Sequence, residues 1–166
     1  MAREQRGAER VAAVTLPAPR RDGGVALERV LAERRSVREY TRGALTLAQV
    51  AQLLWAAQGE TQIDARTAPS AGALYPLELY LVAGEVQDLT PAVYRYLPAG
   101  HQLEPLETGD RRRELCAAAL RQECVADGAA AFVFTGVERR ITHRYGSRGV
   151  RYLHIEVGHA AQNLAL

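Results

Sequence analysis

A cluster of three arginines and one serine occupies five consecutive positions, Arg34-Arg35-Ser36-Val37-Arg38. Guanidinium groups this close repel one another unless an anion lies among them, and each can bind a phosphate through two parallel hydrogen bonds. The cluster therefore predicts a phosphate site. The alternative is a solvated basic turn beside Glu33 and Glu39, and the shortness of the motif leaves that alternative open.

Residues 69–76 (PSAGALYP) form a second candidate site. The four small residues 70–73 let the backbone approach a flat ligand closely and present amide N–H groups to it. Pro69 and Pro76 restrict the path of the chain at both ends of the segment. This composition predicts a loop that lines a ligand, and a plain connecting loop is the alternative.

The third candidate site is residues 143–149 (HRYGSRG), directly before the longest helical pattern in the chain. A helix N-terminus that also offers a phenol and a guanidinium can hold an anion or donate a proton. The alternative is that Ser147 caps the helix while Tyr145 packs against it. His154 and His159 lie five residues apart rather than four, so no metal site is predicted from them.

The composition limits the classes of function. The chain has 166 residues, 48% of them hydrophobic and 24% charged, which fits one globular domain. All 21 basic residues are arginine, so any mechanism that needs a lysine is excluded, and 19 acidic residues leave a net charge of +2. That small charge argues against a nucleic-acid partner, although binding through residues 34–38 and 111–113 is an alternative. The glycine-rich motifs of Rossmann dehydrogenases and P-loop NTPases are absent.

The sequence also indicates a location. No apolar run approaches the ~20 residues that a membrane-spanning helix needs, and the N-terminal residues lack the pattern of a signal peptide. The two cysteines, Cys116 and Cys124, are too few for a disulfide framework. We therefore expect a cytoplasmic protein with reduced thiols and no membrane partner.

The predicted elements begin with a flexible arm. Residues 1–24 combine charges with prolines and glycines and are predicted to form this N-terminal arm, which leaves residues 25–166 as the domain. A short helix is expected from residue 27 to about residue 34. The capping box at residues 46–49 (TLAQ) predicts the start of a second helix, which ends before Gly59.

The rest of the chain alternates between strand and helix patterns. Residues 60–76 have no clear period and are predicted to form a loop, either irregular throughout or with one helical turn. The following elements are expected: a strand over residues 77–83, a hairpin over 92–97 and 102–106, a helix over 110–122, a buried central strand over 129–137, a polar helix or loop over 138–145, and a long helix from about 147. That helix reaches Leu166 without a capping glycine, so we expect the encoded fold to be longer than this sequence.

Five segments in register resemble the nitroreductase-like FMN oxidoreductases, and within them the SagB/ThcOx-type dehydrogenases. The segments are LAERRSVREY (31–40), LLWAAQG (53–59), RTAPSAGALYPLE (66–78), VYRY (93–96) and RYGSRGVRYLHIEVGHAAQN (144–163). The resemblance covers residues 25–166. It implies an α+β fold in which a central mixed or antiparallel sheet is flanked by helices, a long helix at the core of a homodimer, and a last strand that this sequence lacks.

The resemblance also implies where FMN binds. The residues for the phosphate would be Arg34, Arg35, Ser36 and Arg38, and those lining the flavin ring would be Pro69, Ser70, Ala71 and Gly72. Arg144 and Tyr145 align with a lysine and a tyrosine assigned to proton transfer. Because an arginine does not release its proton near neutral pH, Arg144 is a poor base. Ala73 stands where other nitroreductases place an asparagine, and Gly158 would permit close approach of two copies.

We therefore expect an FMN-dependent oxidoreductase that transfers a hydride through flavin N5. Its partners would be NAD(P)H and a small-molecule or peptide substrate, and the branch would imply dehydrogenation of an azoline or thiazoline ring. The alternative is a catalytically inactive fragment, or a non-enzymatic module for dimerisation or peptide binding.

Overall fold

The computed structural model describes residues 12–166. Seven strands are present in this part of the chain: β1 (Val14–Thr15), β2 (Glu60–Gln62), β3 (Ala65–Arg66), β4 (Leu77–Ala83), β5 (Ala92–Leu97), β6 (Gln102–Thr108) and β7 (Ala130–Gly136). Six α-helices accompany them: α1 (Leu27–Glu33), α2 (Leu47–Gln58), α3 (Arg112–Ala118), α4 (Glu123–Asp127), α5 (Glu138–Tyr145) and α6 (Arg148–Ala165). None of these helices combines the length and apolarity needed to cross a membrane.

Five of the strands form one antiparallel sheet in the order β1-β6-β5-β4-β7. The expected α+β fold with a sheet flanked by helices is confirmed. The expectation that residues 129–137 form a fully buried central strand is wrong. Strand β7 pairs only with β4 and lies at the edge of the sheet, and its residues are half-buried or exposed. The apolar run in β7 therefore covers one side of the neighbouring core.

Helix α2 forms where the sequence predicts it. The Thr46 hydroxyl accepts the Gln49 N–H at 3.2 Å, and Gln49 Oε1 accepts the Thr46 N–H at 2.8 Å, which completes the capping box. Val50, Ala51 and Leu54 are buried and join the core with the inward side chains of β4. Because side chains alternate along a strand, Leu77, Leu79 and Leu81 share one face of the sheet. Leu79 and Leu81 of this face share one buried cluster with α2.

A smaller apolar cluster joins α5 and α6 to the end of β4. Ile141, Leu153 and Ala160 are buried in it together with Leu77. Leu153 lies so close to Gly136 that a Cβ there would fall 2.6 Å from a Leu153 methyl group. Asn163 Nδ2 donates to the Thr67 carbonyl at 3.1 Å. These contacts fix α6 beside the segment that leads into residues 69–76.

The part of the predicted arm that the structure describes is attached to the sheet. Strand β1 pairs with β6, Leu16 is buried in the core, and the His101 ring contacts both the Pro17 carbonyl at 3.0 Å and the Tyr96 hydroxyl at 2.8 Å. A free arm over all of residues 1–24 is therefore wrong for this stretch, because a strand edge and a buried leucine hold it. Residues 1–11 lie outside the described residues, and the boundary at residue 25 stays a prediction.

Two other expectations differ from the structure. The helix predicted over residues 110–122 ends at Ala118, because Leu120 and Arg121 adopt positive φ angles of 56° and 57° before α4 begins. The loop predicted over 60–76 has its one helical turn at Ala71–Ala73, a 3₁₀ turn, but it also contains the β2–β3 hairpin, which was not predicted. The two strands of this hairpin pair through their backbones. Because their side chains are mostly polar, the sequence shows no alternation of apolar and polar residues that would indicate a strand.

Candidate functional site

The segment 69–76 is a tightly bent surface loop. The Tyr75 N–H donates to Ser70 Oγ at 2.9 Å, which closes the bend around the 3₁₀ turn. Gly72, Ala73 and Tyr75 all have positive φ angles, at 65°, 53° and 44°. Left-handed backbone costs roughly 1–2 kcal/mol for each residue that has a Cβ. Strain of this kind at two non-glycine residues is typical of functional loops.

The side chain of Tyr75 holds the strained loop in place. Its hydroxyl donates to the Asp64 carbonyl at 3.1 Å and accepts the Arg66 N–H at 3.2 Å. The Arg66 guanidinium lies 4.5 Å from the centroid of the Tyr75 ring, a cation–π contact. The β2–β3 hairpin is thereby the anchor for residues 70–75.

The loop meets the third sequence motif at Gly72. A Cβ on Gly72 would lie 2.7 Å from the Tyr145 hydroxyl and 3.0 Å from Arg144 Nη1. Only glycine lets the backbone approach these two side chains so closely. Two of the three motifs predicted from the sequence therefore meet in the structure, with Pro69 and Gly72 exposed and Ser70 and Ala71 half-buried.

Tyr145 is held between three groups at the end of α5. Its ring packs edge-to-face on Tyr152 at 5.2 Å, and the Arg144 guanidinium lies 5.6 Å from its centroid. Its hydroxyl points toward the Gly72 backbone. Of the alternative for this motif, the packing of Tyr145 against the helix is confirmed, and Ser147 occupies the N-cap position but makes no side-chain capping hydrogen bond in the described residues. A half-buried phenol at a loop with small side chains is suited to proton exchange with a ligand placed there.

Glu156, on α6, is the site residue that our sequence analysis missed. It is only 2% exposed, and neither carboxylate oxygen has a hydrogen-bond partner in the described residues. Burial raises the pKa of Glu156, while the Ser70 hydroxyl and the Arg66 charge oppose that rise. It lines a cavity of about 290 Å³ together with Pro69, Ser70 and Ala71. Its spacing from Leu153 and Ala160 on the buried face of α6 was the available signal.

The arginine cluster follows α1 at a different surface. All residues from 31 to 40 are exposed. Arg35 Nη1 donates to the carbonyls of Ala32 and Arg34, at 2.9 and 2.7 Å, while the Ser36 side chain makes no hydrogen bond to any described residue. In residues 12–166 none of the three guanidinium groups forms a salt bridge, whereas the neighbouring Glu33 pairs with Arg29 at 2.8 Å.

The structure does not bring this cluster together with the loop. Arg38 lines a cavity of about 670 Å³ with acidic residues of other segments, among them Glu85, Asp110 and Asp127. That cavity shares no lining residue with the one beside Pro69 and Ala71. Within one chain, the predicted phosphate site and the predicted ring site are therefore separate surfaces.

Comparison with known proteins places this geometry in a family. The Nitroreductase family model matches residues 31–166. The chain belongs to the nitroreductase family. Members of this family are oxidoreductases that typically bind a flavin. In the described part of this nitroreductase-family chain, no group of three or more His, Cys, Asp or Glu side chains is placed to hold a metal ion.

Two relatives show how much of the sequence is shared. The chain is 42% identical over 143 residues to MJ1384 of Methanocaldococcus jannaschii, provisionally named a nitroreductase, and covers 72% of that protein with 86% of its own length. It is 30% identical over 149 residues to the trifolitoxin operon protein TfxC of Rhizobium leguminosarum bv. trifolii. That match covers 80% of this chain and 42% of TfxC, so the chain spans less than half of that relative.

Solved structures share the fold. A crystallised protein of Ralstonia eutropha, provisionally named a nitroreductase, matches with a TM-score of 0.79 and 28% identity, over 92% of this chain and 69% of that one. A chain of the Escherichia coli microcin synthetase McbBCD complex, with truncated pro-MccB17 bound, matches with a TM-score of 0.63 and 22% identity. That match covers 95% of this chain and 63% of the other, and it shows the fold alone.

The contact between Gly72 and Tyr145 is testable by a double-mutant cycle. Gly72→Ala is expected to lower the free energy of unfolding by about 2–3 kcal/mol, since it adds left-handed strain and a clash with the Tyr145 hydroxyl. Tyr145→Phe removes the hydroxyl and should recover part of that loss. Gly100→Ala is the control, because Gly100 also has a positive φ but its Cβ would meet only ordinary contacts at 3.6 Å or more. Urea unfolding measures the stability of Gly72→Ala, Tyr145→Phe, the double variant Gly72→Ala/Tyr145→Phe and Gly100→Ala. Equal losses of stability in Gly72→Ala and Gly100→Ala would contradict the contact.

The burial of Glu156 predicts a pH-dependent stability. Because its pKa is raised in the folded state, the folded chain binds more protons than the unfolded one, and stability falls as pH rises above about 4.5. Glu156→Gln should remove this decline and raise the free energy of unfolding at pH 7.5 by about 1 kcal/mol. The gain should shrink toward pH 4.5, and the exposed Glu28→Gln variant should show no such trend. Denaturant titrations between pH 4.5 and pH 7.5 measure these free energies of unfolding. A Glu156→Gln variant that is less stable than the wild type at pH 7.5 would refute the prediction.

Proposed function

We propose that the chain is an FMN-dependent oxidoreductase of the SagB-type dehydrogenase branch. The observation that carries the proposal is the meeting of Gly72 with Tyr145 and Arg144, which forms a small-residue surface beside a phenol and a permanent cation. When bound, FMN would supply hydride transfer at its N5, between NAD(P)H or the substrate and a second acceptor.

The donor set on the chain fits the two chemical ends of FMN. Arg34, Arg35 and Arg38 have no carboxylate partner in the described residues, so their charges are available to a phosphate, and the Ser36 hydroxyl is a further donor. Pro69, Ser70, Ala71 and Gly72 place little side-chain volume on the loop surface, which suits the face of a flat ring.

The residues beside the loop have separate roles in this proposal. Tyr145 would donate a proton to the ligand or accept one from it, because its phenolic hydroxyl is a donor and an acceptor. Arg144 stays ionised and would stabilise negative charge that develops on a ligand at Gly72, rather than remove a proton. Glu156 lies behind the loop, where its buried carboxyl group lines a cavity with Pro69, Ser70 and Ala71.

We further propose that two copies of the chain complete the site. The phosphate and ring surfaces are separate within one chain, and a homodimer would bring the cluster of one copy to the loop of the other. Helix α1 has no buried residue, and Leu27 and Leu31 on it are 60% and 52% exposed. Ile155 on α6 is 50% exposed, and a Cβ on Gly158 would meet nothing within 4 Å in the described chain. Association would cover these apolar faces.

The substrate class in this proposal is a peptide that carries an azoline or thiazoline ring. The shared sequence with TfxC, a trifolitoxin operon protein, supports it. The second candidate is a non-enzymatic peptide-binding module. Flavin binding separates the two, because the second candidate needs none.

FMN titration of the purified chain tests the proposal. The wild-type chain is expected to take up FMN and show visible flavin absorbance. The double variant Arg34→Gln/Arg38→Gln should bind FMN about 100-fold more weakly, since each charge-assisted pair contributes about 1.5 kcal/mol. Riboflavin, which lacks the phosphate, should bind both proteins equally.

The control is Arg121→Gln/Arg139→Gln, which removes two exposed arginines that do not line the cavity of Arg38 and should leave FMN affinity unchanged. A wild-type chain that stays colourless after incubation with FMN would overturn the flavin proposal. Equal FMN affinity in the Arg34/Arg38 variant would overturn the assignment of the phosphate site.

A further inference from the structure

A third cavity, of about 470 Å³, lies between the end of α2, the β2–β3 hairpin and the strands β4 and β5. Its polar lining consists of Gln58, Arg66, Tyr75, Glu78, Arg95, Tyr96 and Arg140. None of these residues belongs to the proposed phosphate cluster, to the ring-lining residues 69–72, or to the pair Arg144 and Tyr145. The apolar part of the wall consists of Leu74, Leu77, Leu79 and Leu97.

Gln58 leaves a hydrogen-bond donor without a partner at this cavity. The residue is 1% exposed, and its Oε1 accepts Arg66 Nη1 at 3.0 Å. This bond fixes the amide so that Nε2 is the remaining donor, and Nε2 is buried with no partner in the described residues. A buried amide N–H without an acceptor is unfavourable, so the site is short of one acceptor atom.

Arg66 leaves a cation without an ion pair at the same place. The other arginines of the cavity are neutralised within the chain, Arg95 by Glu104 at 2.6 Å and Arg140 by Glu78. Arg66 forms no salt bridge in residues 12–166, and its half-buried guanidinium is held over the Tyr75 ring. Burial lowers the pKa of Arg66, while Glu60, Tyr75, Glu156 and Glu78 oppose that effect from beyond ion-pair distance. The guanidinium is thus held in place by Tyr75 and Gln58 without a direct ion pair in the described residues.

We propose that this cavity binds the carboxylate of an organic acid, with the Arg66 guanidinium and the Gln58 Nε2 amide as its donors. The planar carboxylate matches the fork of an arginine and supplies the acceptor that Gln58 lacks. The leucines and the tyrosine rings would enclose an apolar or aromatic body attached to it. Two sources carry this chemistry: a small free acid, and the C-terminal carboxylate of a peptide.

Calorimetric titration of the full chain with benzoate tests the site without any use of flavin. Benzoate is expected to bind, and benzamide, which has the same shape without the charge, should bind at least tenfold more weakly. Arg66→Gln should weaken benzoate binding at least tenfold, and Arg66→Lys should weaken it less, since it keeps the charge but loses the fork. The exposed Arg113→Gln variant is the control and should bind benzoate like the wild type.

Gln58→Glu keeps the test decisive if the Arg66 variants do not fold. This near-isosteric change gives Arg66 a carboxylate of its own and repels an incoming acid, so benzoate binding should be lost while the chain stays folded. Benzamide binding as tight as benzoate, unaltered benzoate affinity in folded Arg66→Gln, or benzoate binding retained in Gln58→Glu would each overturn the proposal. So would the absence of benzoate binding to the folded wild type.

The two sources are separated with N-acetylphenylalanine, which presents a carboxylate as the end of a peptide does, and with its neutral amide. Tighter binding of N-acetylphenylalanine than of benzoate, lost in the amide, assigns the site to a peptide C-terminus. Tighter binding of benzoate assigns it to a small free acid. In both cases the flavin proposal stands or falls separately, because Arg34, Arg38 and FMN take no part in this experiment.

Discussion

Tyr75 connects the two candidate sites. Its backbone N–H closes the loop onto Ser70, its hydroxyl bonds to the β2–β3 hairpin, and its ring supports the Arg66 guanidinium. The first two contacts hold Gly72 against Tyr145. The cation–π contact holds Arg66 next to Gln58, in the cavity of about 470 Å³. Tyr75 therefore fixes the shape of the loop on one side and the position of the Arg66 guanidinium on the other.

The site combines several features that stability alone does not favour. Ala73 and Tyr75 are held in left-handed backbone, Glu156 is buried without a hydrogen bond, and Gln58 Nε2 has no acceptor. Each of these costs free energy that the apolar packing of α2 and α6 on the sheet must offset. Gln58 and Glu156 supply most of the buried side-chain polar atoms that lack a partner in the described residues, whereas left-handed non-glycine backbone also occurs elsewhere, for example at Asp88 and Leu120. Such local costs mark functional regions of a fold.

Much of the fold could be predicted from local signals in the sequence. The capping box at Thr46 and Gln49 specifies the start of α2, and alternation specifies β4, β5 and β6, because both patterns depend only on neighbours in the chain. Neither the end of α3 at Ala118 nor the position of β7 at the edge of the sheet could be predicted. A positive φ at Leu120 has no residue-type signal, and the place of a strand in the sheet depends on its distant partners.

The candidate site was predictable in part for the same reason. The small residues of 69–72 and the pair Arg144 and Tyr145 were recognisable as motifs, and the structure brings them together at Gly72. Gln58 and Glu156 were not singled out, because a polar residue within an apolar helical pattern gives no local sign that its side chain is buried without a partner. The separation of Arg34–Arg38 from the loop was also beyond sequence reasoning, since it depends on where α1 lies.

A crystal structure of the chain with FMN would show whether two copies form one flavin site. We expect the flavin ring against Pro69 to Gly72, within contact of Tyr145, and the phosphate among Arg34, Ser36 and Arg38 of a second copy. A flavin seated instead in the cavity of Arg66 and Gln58, or a phosphate held away from the arginine cluster, would contradict the proposal.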